Sequence, residues 1–377
     1  MKLTYISNFF NHHQKFISDA LFDKCDSYYF IETEKLPEER KRLGYSTIEA
    51  KYLKNADEGI EDVIRSSDAI VFGSAPRGLI ESEKKNKLIF FYTERPLKLG
   101  LSVAGYFPRL IKWHIITLGY KKQYLLCSSA FTAADYAKFG MYRNRAYKWG
   151  YFPETKIYDI DSLLTKKDPR EIVWCGRFLD WKRPDDALAV AKKLKGTGCE
   201  FHLTIIGTGE MESQLKTQAE SDGLTDCVTF TGALSPKKVR EKMETAGVFL
   251  FTSNRREGWG AVLNEAMNSA CAVVASDEIG SVPYLAKNNE NALIYHSADI
   301  DALYQKTRYL LNDPSEQRRL GRAAYNTIIS EWNAETAAER LIALSEKILD
   351  GDKYPDLYNS GPCSKAEIIK DNWYKED

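Results

Sequence analysis

The chain has 377 residues, enough for about two domains at roughly 150 residues each, and either domain could bury its own core. Its 53 lysines and arginines balance 53 aspartates and glutamates, so the overall charge gives no reason to expect DNA or RNA as a partner. The seven cysteines form no CxxC pair, and several lie in apolar runs, which predicts buried free thiols in a reducing cytosol.

The N-terminal sequence predicts a protein without an export signal. From Met1 the chain leads directly into a strand pattern, Leu3 to Ser7, with no basic leader followed by a long apolar core. No stretch reaches the roughly 18 apolar residues that a transmembrane helix needs. We therefore expect a cytoplasmic protein that at most touches the inner face of the membrane.

In chain order, the first half alternates short apolar strands with amphipathic helices, which is typical of a parallel sheet covered on both faces. Strands are predicted over residues 3–6, 69–73, 88–92 and 124–128, and helices over 58–65 and 132–139. This pattern predicts an α/β domain in the first half.

The second half repeats the pattern more clearly. Strands are predicted over residues 172–175, 202–206, 228–231, 248–252, 272–275 and 292–295. Helices are predicted over 185–194, 211–221, 236–245 and 300–311. Two nucleotide-binding-like α/β domains in series are the simplest interpretation.

A polar stretch without clear periodicity separates the halves and contains Pro153 and Pro169. Near the other end, Asn333 is expected to cap a last helix that ends near Leu349. The expected organisation is a first domain, a linker, a second domain, and a last helix with a polar tail, over residues 1–155, 156–170, 171–333 and 334–377.

Two carboxylates bracket a segment of the second half that reads Glu257-Gly-Trp-Gly-Ala-Val-Leu-Asn-Glu265. The chain is expected to turn from loop to helix near Gly260, so backbone N–H groups and the positive end of the helix dipole would face a diphosphate. Carboxylates accept hydrogen bonds from hydroxyls and are poor partners for phosphate. The segment therefore predicts a phosphate-containing ligand flanked by polyhydroxylated groups, such as a nucleotide sugar.

Two cations, Arg177 and Lys182, follow the predicted strand 172–175. Ligands of open parallel sheets bind beyond the carboxyl ends of the strands, so both cations are expected at the mouth of a cleft. A charge-assisted hydrogen bond contributes roughly 1.5–3 kcal/mol, against about 0.3–1 kcal/mol for a helix dipole, so the cations should dominate anion affinity. The alternative is that Lys182 and Arg183 only form a solvated helix start.

A second glycine pair, Gly207-Thr-Gly209, follows the predicted strand 202–206 and precedes a helix. It fails as a dinucleotide-binding fingerprint because Glu212 stands where a third glycine is needed. A tight turn that faces a phosphate or ribose and a purely structural turn both fit the pattern.

The first half offers polar groups for an acceptor. His12 and His13 follow the first strand, and Glu94 with Arg95 follows the strand 88–92. One histidine could contact the acceptor, whereas a local salt bridge is the default expectation for Glu94 and Arg95. No second cluster with metal-ligand spacing accompanies the histidines, so no metal is expected.

Six cations and no acid occur between residues 95 and 122, and apolar and aromatic residues are interleaved with them. Such a segment can lie on an anionic membrane, where each cation contributes on the order of 1 kcal/mol. An ordinary buried helix with a basic exposed side fits the same pattern.

Taken together, the second half resembles the retaining, nucleotide-sugar-dependent glycosyltransferases of family four, which have the GT-B fold. The resemblance covers about residues 170–330 and depends on the order and spacing of several motifs. They are Cys175-Gly-Arg177 with Lys182-Arg-Pro-Asp185, Ile206-Gly-Thr-Gly209, Val228-Thr-Phe-Thr-Gly232, Ser253 to Gly258, Glu257 to Glu265 with Ala-Met267, and Val273-Val-Ala-Ser-Asp277.

The first half resembles enzymes of bacterial surface or capsular polysaccharide assembly more loosely. The motifs are Asn11-His-His-Gln14, Glu39-Arg40 with Gly44-Tyr45, and Lys148-Trp-Gly-Tyr-Phe-Pro-Glu154. The chain departs from the family in two places. Asn11 to Gln14 replaces a glycine-rich loop, and Ile279-Gly-Ser-Val-Pro-Tyr284 replaces the common Gly-Gly-x-Pro-Glu.

The resemblance implies an α/β protein with two Rossmann-like domains whose parallel sheets face each other across a cleft. Its last helix would cross back to the first domain. Arg177 and Lys182 would bind the donor diphosphate, Glu265 the ribose, and Glu257 the transferred sugar. Further donor contacts would come from Gly176, Gly207, Gly209, Gly258, Trp259, Gly260, Ala261 and Val262.

The function implied is transfer of a sugar, with retention and without a metal, from a nucleoside-diphosphate sugar to a saccharide or lipid-linked saccharide. No cofactor beyond the donor substrate is expected. The alternatives are another GT-B enzyme, such as a sugar-nucleotide epimerase or a phosphorylase, and a non-catalytic nucleotide-sugar binding protein. A dehydrogenase is disfavoured by the incomplete glycine fingerprint.

Overall fold

The computed structural model describes residues 1–37, 47–57 and 59–375. The motif Glu39-Arg40 with Gly44-Tyr45 lies outside these residues. The chain divides into two compact units. Unit 1 comprises Met1–Pro153 and Asn333–Lys370, and unit 2 comprises Glu154–Trp332 and the C-terminal residues from Asp371.

The strands of both units are short and mostly buried. In chain order they are β1 (Lys2–Ser7), β2 (Ser27–Glu32), β3 (Leu53–Asn55), β4 (Ala69–Phe72), β5 (Leu88–Thr93), β6 (Lys122–Cys127), β7 (Ala146–Lys148), β8 (Asp168–Cys175), β9 (His202–Ile206), β10 (Val228–Gly232), β11 (Ala246–Phe251), β12 (Ala272–Ser276) and β13 (Leu293–Tyr295).

Helices alternate with these strands. In chain order they are α1 (His12–Lys24), α2 (Glu61–Ser66), α3 (Val103–Thr117), α4 (Thr132–Ala137), α5 (Ile160–Thr165), α6 (Pro184–Gly196), α7 (Glu212–Ser221), α8 (Pro236–Thr245), α9 (Val262–Asn268), α10 (Val282–Leu285), α11 (Ile300–Asn312), α12 (Pro314–Ser330) and α13 (Ala334–Leu349). Short 3₁₀ turns cover Arg77–Ile80 and Asp180–Lys182.

Unit 1 contains a parallel sheet with the strand order β3-β2-β1-β4-β5-β6-β7. Its order reverses between β1 and β4, which is the topological switch point of a doubly wound sheet. Helix α13 packs against α1, and Lys24 of α1 forms 3.0 Å ion pairs with both Glu335 and Glu339. As predicted, Asn333 caps this helix, because its side chain accepts a 2.9 Å hydrogen bond from Thr336 N.

Unit 2 contains a second parallel sheet with the order β10-β9-β8-β11-β12-β13, so its switch point lies between β8 and β11. Both sheets confirm the predicted α/β class with two Rossmann-like domains. The segment predicted as a linker contains α5 and the first residues of β8. Asp159 caps α5 by accepting hydrogen bonds from the backbone N–H groups of Asp161 and Ser162.

None of the described helices is long and apolar enough to cross a membrane. The cysteines are free thiols in the structure, as predicted, but burial differs among them. Cys127, Cys271 and Cys363 are buried, whereas Cys25, Cys175, Cys199 and Cys227 are only half-buried.

Candidate functional site

The carboxyl edge of the unit 2 sheet brings two loops together at its switch point. One loop follows β8 and the other follows β11, and these two strands are hydrogen-bonded neighbours. Because their connections leave the sheet in opposite directions, a crevice forms beyond the strand ends. The first loop carries Arg177 and Lys182, and the second carries Glu257.

An ion pair joins the two loops. Lys182 Nζ contacts Glu257 Oε2, although the two residues are 75 positions apart in the sequence. Their side chains are only 15% and 9% exposed, so solvent screens the pair much less than a surface pair. Ser253 Oγ donates a second hydrogen bond of 3.0 Å to the same carboxylate oxygen. Within the described residues, Oε1 of Glu257 accepts no hydrogen bond, so it is available to a ligand.

The backbone around Lys182 is held from the β11 side. The hydroxyl of Thr252 lies 2.8 Å from the carbonyl oxygens of both Lys182 and Arg183, and it accepts a 2.8 Å hydrogen bond from Trp174 Nε1. Asn254 N donates to the carbonyl of Trp181 at 2.9 Å. These contacts fix the backbone position of Lys182, so hydrogen bonds as well as the ion pair hold the two loops together.

Arg183 serves the start of helix α6 rather than the crevice. Its backbone is left-handed, with φ 52° and ψ 52°, which a non-glycine residue adopts only when its surroundings enforce it. Its guanidinium donates to Asp186 at 2.6 and 2.9 Å. The alternative of a structural helix start is therefore right for Arg183, whereas Lys182 turns toward Glu257.

The glycines at 207 and 209 let two backbones pack closely. Gly176 N donates to Ile206 O at 3.0 Å, and Phe178 N donates to Thr208 O at 2.9 Å. A Cβ atom on Gly207 would stand 1.9 Å from Gly176 O, and one on Gly209 would stand 2.6 Å from Phe178 O. The structure thus gives both glycines a packing role that shapes the loop carrying Arg177.

The segment after Glu257 turns its aromatic residue inward. Trp259 is fully buried, its ring centroid lies 5.8 Å from that of Trp332, and its Nε1 donates to Asn264 Oδ1 at 2.9 Å. Only the backbone of Trp259 can therefore contact a donor. Tyr284, which replaces the family's common glutamate, stacks on Trp332 at 5.7 Å and belongs to the same aromatic cluster.

Gly260 requires glycine for two reasons. Its φ is +82°, and a Cβ atom there would lie 2.3 Å from Cζ of Phe251. Ala261 follows as the residue before α9, and Val262 is the first residue of that helix. Because α9 has only seven residues, its dipole adds little, and the cations remain the main expected source of anion affinity.

Glu265 lies in α9, the helix that follows the loop of Glu257. Burial raises the pKa of its carboxyl, Arg240 lowers it, and Glu154 raises it further. Burial also raises the pKa of the Cys175 thiol to about 12, with Glu265 adding to this shift and Lys182 opposing it. Glu265 and Lys182 thus act with opposite signs on the same thiol at the end of β8. Within the described residues, no hydrogen bond reaches the Glu265 carboxylate, which leaves it open to ligand hydroxyls.

Arg240 is a residue of this site that the sequence analysis missed. It is buried, at 5% exposure, and its guanidinium donates to the carbonyls of Glu265 at 3.2 Å and Glu154 at 3.0 Å. It also contacts the side chain of Asn268. In the sequence it is one of several cations in an amphipathic helix, so nothing in the local pattern distinguishes it.

In unit 1, the structure brings His13 and Glu94 together through Tyr151. The His13 ring stacks on Tyr151 with centroids 5.7 Å apart, and Tyr151 Oη donates to Glu94 Oε1 at 2.6 Å. The ring of His12 lies 3.9 Å from that of His13. Tyr151 was not predicted individually, although it lies in the motif Lys148 to Glu154. Burial and Glu94 raise the pKa of its hydroxyl.

The prediction of a local ion pair between Glu94 and Arg95 is wrong. Glu94 instead forms an ion pair with Lys98, four residues later in the chain. Arg95 is buried and donates to Asp135 at 3.2 and 3.3 Å. Adjacent residues at the end of a strand point in different directions, which explains why they find separate partners.

No group of three or more His, Cys, Asp or Glu side chains within the described part of the chain converges in a way that could hold a metal ion. The histidines at 12 and 13 are therefore not part of such a group among the described residues.

Two Rossmann-like units, each built on a parallel sheet with a topological switch point, are the architecture of the GT-B fold class. Residues 156–327 match the family described as Glycosyl transferases group 1. The chain therefore carries a group 1 glycosyltransferase domain, and that domain contains the loops after β8 and β11.

Curated relatives agree with this assignment. The chain is 28% identical over 200 residues to the amylovoran biosynthesis glycosyltransferase AmsK of Erwinia amylovora, covering 52% of this chain and 49% of that protein. It is 27% identical over 176 residues to a GDP-mannose-dependent phosphatidylinositol monomannoside mannosyltransferase of Mycobacterium tuberculosis, covering 45% and 46%. The chain thus spans about half the length of the curated relatives it matches.

Solved structures share the fold at low identity. HepE of Anabaena in complex with UDP has a TM-score of 0.68 at 14% identity, covering 92% of this chain and 100% of that one. Sucrose-phosphate synthase of Thermosynechococcus elongatus has a TM-score of 0.68 at 15% identity, covering 93% and 99%. These likenesses establish the GT-B fold.

Proposed function

We propose that the chain is a retaining glycosyltransferase that moves a sugar from a nucleoside-diphosphate sugar to a hydroxyl of a saccharide or lipid-linked saccharide. Donor binding is assigned to unit 2 and acceptor binding to unit 1. The observation that carries the proposal is the largely buried pair of Lys182 and Glu257 at the switch point of a group 1 glycosyltransferase domain, followed by the helix that carries Glu265.

The donor diphosphate is assigned to Arg177 and Lys182. An ammonium group has three N–H donors, so Lys182 can keep its contact with Glu257 and still donate to phosphate oxygens. Arg177 follows β8 directly at the same edge of the sheet. The ribose is assigned to Glu265, whose carboxylate can accept hydrogen bonds from two hydroxyls.

The chemical step builds negative charge on the departing diphosphate, and the two cations offset it without a divalent metal. The sugar gains positive character at the same time. Glu257 holds Oε2 against Lys182 and Ser253, which directs Oε1 to the transferred sugar. In this mechanism Glu257 orients and stabilises the sugar, and a donor phosphate oxygen accepts the proton of the incoming hydroxyl on the same face, so configuration is retained.

The relatives' names support a glycoconjugate acceptor. AmsK is named for amylovoran biosynthesis, and the mycobacterial relative acts on a phosphatidylinositol mannoside. The acceptor side is assigned to His12, His13 and Glu94, of which the last two meet at Tyr151. Similar proteins differ in the nucleotide base, since HepE was crystallised with UDP whereas the mycobacterial relative is GDP-mannose-dependent.

Three further expectations stay predictions from the sequence. They are a cytoplasmic location, the absence of any cofactor besides the donor substrate, and the absence of a nucleic-acid partner. Peripheral contact with an anionic membrane is a fourth.

The test begins with a thermal-shift screen of uridine, guanosine and adenosine diphosphate sugars, since a ligand that binds the native state stabilises it by mass action. The stabilising donor is then incubated with candidate acceptors, with and without EDTA, and the anomeric configuration of the product is read by NMR. An axial-to-axial or equatorial-to-equatorial outcome that EDTA leaves unchanged is expected. An inverted product, loss of turnover in EDTA, or consumption of donor by epimerisation would contradict the proposal.

A further inference from the structure

The segment after β5 exposes a row of large apolar side chains. Leu99 is 86% exposed, Phe107 64%, Ile111 59%, Ile115 64% and Leu118 74%. Phe107, Ile111 and Ile115 are spaced four residues apart on α3, so they share one face of the helix. Single exposed apolar residues are common, whereas a contiguous row marks an interaction surface. These five residues are called the α3 surface below.

The opposite face of α3 is anchored to unit 1. The Trp113 ring lies 4.5 Å from that of Phe139. Tyr106 stacks on Phe139 at 5.2 Å and donates its hydroxyl proton to Lys138 O at 3.1 Å. Arg77 donates to the carbonyl of Ile116 at 2.8 Å. Packing therefore fixes which way the helix faces, and the apolar row points outward as a consequence.

The segment that carries the row is basic, and four of its cations are exposed. Between residues 95 and 122 the chain contains six cations and no acid. Arg109, Lys112, Lys121 and Lys122 are exposed. An anionic bilayer complements both properties at once, because apolar side chains enter the acyl boundary while cations contact the lipid phosphates.

We propose that the α3 surface docks unit 1 on membranes that contain anionic phospholipid, with α3 in the plane of the interface. None of the described helices can span a membrane, so the contact is peripheral. The apolar row supplies insertion depth, and the cations supply the preference for anionic lipid.

The α3 surface is connected to the acceptor side of unit 1. Glu94 follows β5 and pairs with Lys98, and Leu99 comes next in the chain. The docking surface thus begins five residues from the carboxylate that Tyr151 contacts. On the proposed function, on which this step rests, docking would hold the enzyme where a lipid-linked acceptor can reach Glu94.

The test is co-sedimentation of the full chain with vesicles of phosphatidylcholine alone or mixed with phosphatidylglycerol. Binding is expected only to the mixed vesicles and should weaken with added salt. The double variant Ile111→Ser, Ile115→Ser should bind the mixed vesicles at least about tenfold more weakly than the wild type, because neither side chain can bury apolar surface in the bilayer. Arg109→Gln and Lys112→Gln should each cost on the order of fivefold.

Matched controls come from exposed isoleucines elsewhere. Ile157 is 77% exposed in unit 2 and Ile368 is 59% exposed in unit 1, and replacing either with Ser should leave vesicle binding unchanged. The proposal is overturned if the wild-type chain ignores anionic vesicles, or if the double variant and the controls bind them equally. It is also overturned if the wild-type chain sediments as a dimer that the double variant makes monomeric, because the α3 surface then joins two copies.

A second readout separates this inference from the proposed function. Each variant is tested for stabilisation by the nucleotide sugar found in the screen, and unchanged stabilisation shows that it is folded with an intact donor site. Lost vesicle binding with intact donor binding in the double variant supports docking. If the wild type binds vesicles but no donor, the proposed function is refuted while docking through the α3 surface is still supported.

Discussion

At the scale of residues, the two glutamates that bracket residues 257–265 have different surroundings. Glu257 is held by a cation and a hydroxyl, and one of its oxygens stays available. Glu265 is held by neither, and burial raises its pKa. A carboxylate held by a cation suits a role in the chemical step, whereas a half-buried carboxyl without hydrogen bonds suits recognition of hydroxyls.

Replacing Glu257 with glutamine should lower turnover about a hundredfold to a thousandfold, because the neutral amide stabilises the positive sugar poorly. Nucleotide affinity should change little, since the diphosphate is assigned to Arg177 and Lys182. Steady-state kinetics and calorimetric titration of nucleoside diphosphate measure the two effects. Glu212→Gln, in the surface pair with Lys216, is the matched control and should leave both unchanged. Undiminished turnover in Glu257→Gln would remove Glu257 from the mechanism.

Replacing Glu265 with glutamine should stabilise the protein at neutral pH while weakening nucleotide binding. The native pKa lies above the unfolded value of about 4.3, so the native state binds the proton more tightly. The free energy of unfolding therefore falls as pH rises from the unfolded pKa through the native one. Glutamine does not titrate, so the variant should not show this fall in stability. Urea unfolding of both proteins from acidic to neutral pH measures the difference. A wild type more stable than the variant at neutral pH would contradict the raised pKa of Glu265.

At the scale of elements, the loop after β8 depends on glycines in a neighbouring loop. Gly207→Ala forces a Cβ atom into the carbonyl of Gly176, so the two backbones must separate. We expect a loss of stability of about 1–3 kcal/mol or more. Because the displaced loop carries Arg177 and Lys182, nucleotide affinity should fall as well. Urea unfolding and calorimetric titration measure the two quantities.

Gly196→Ala is the control for Gly207→Ala, because Gly196 is helical and a Cβ atom there meets nothing within 4 Å. It should stabilise the protein by about 0.5–1 kcal/mol and leave nucleotide affinity unchanged. Equal effects of the two substitutions would show that the close approach at Gly207 is unimportant.

Much of the fold could be predicted because long strands and helices carry periodicity. The strands of unit 2 and helices such as Pro236–Thr245 lie where the sequence placed them. Strands β3 and β7 have three residues each, too few to show alternation. Residues 156–170 were predicted as a linker because the stretch is polar, without clear periodicity and flanked by prolines, whereas the structure places the six-residue helix α5 and the start of β8 there.

The site was predictable only where the family motif or the end of a strand marked it. Lys182 and Glu257 were each predicted, but their ion pair depends on β8 and β11 being neighbours, which local sequence does not specify. Arg240 and Tyr151 act through contacts with distant residues, so no local pattern singled them out. Trp259 was predicted to contact the donor. Its ring is instead buried, because it packs against the rings of Trp332 and Tyr284.

At the scale of the whole molecule, each unit has its own sheet and its own charged edge. In unit 2 the edge combines Arg177, Lys182 and two glutamates, and in unit 1 it combines histidines, Glu94 and Tyr151. This division predicts that the donor nucleotide and the acceptor bind to different units. Nucleotide alone should then leave hydrogen–deuterium exchange in unit 1 unchanged.

The double variant Arg177→Ala, Lys182→Ala should lose most of the thermal stabilisation that nucleoside diphosphate gives the wild type, since both assigned cations are gone. Removing two exposed cations of unit 2 that are far from the crevice in sequence, Lys237 and Lys238, is the control and should leave the stabilisation intact. Equal stabilisation of the wild type and the double variant would place the diphosphate elsewhere.

The most direct measurement is hydrogen–deuterium exchange of the full chain with and without the nucleotide that stabilises it most. We expect slower exchange in residues 176–183 and 253–265, which include the two loops at the unit 2 switch point, and unchanged exchange in residues 8–14 of unit 1. Protection confined to unit 1, or none in the two loops at saturating nucleotide, would contradict it.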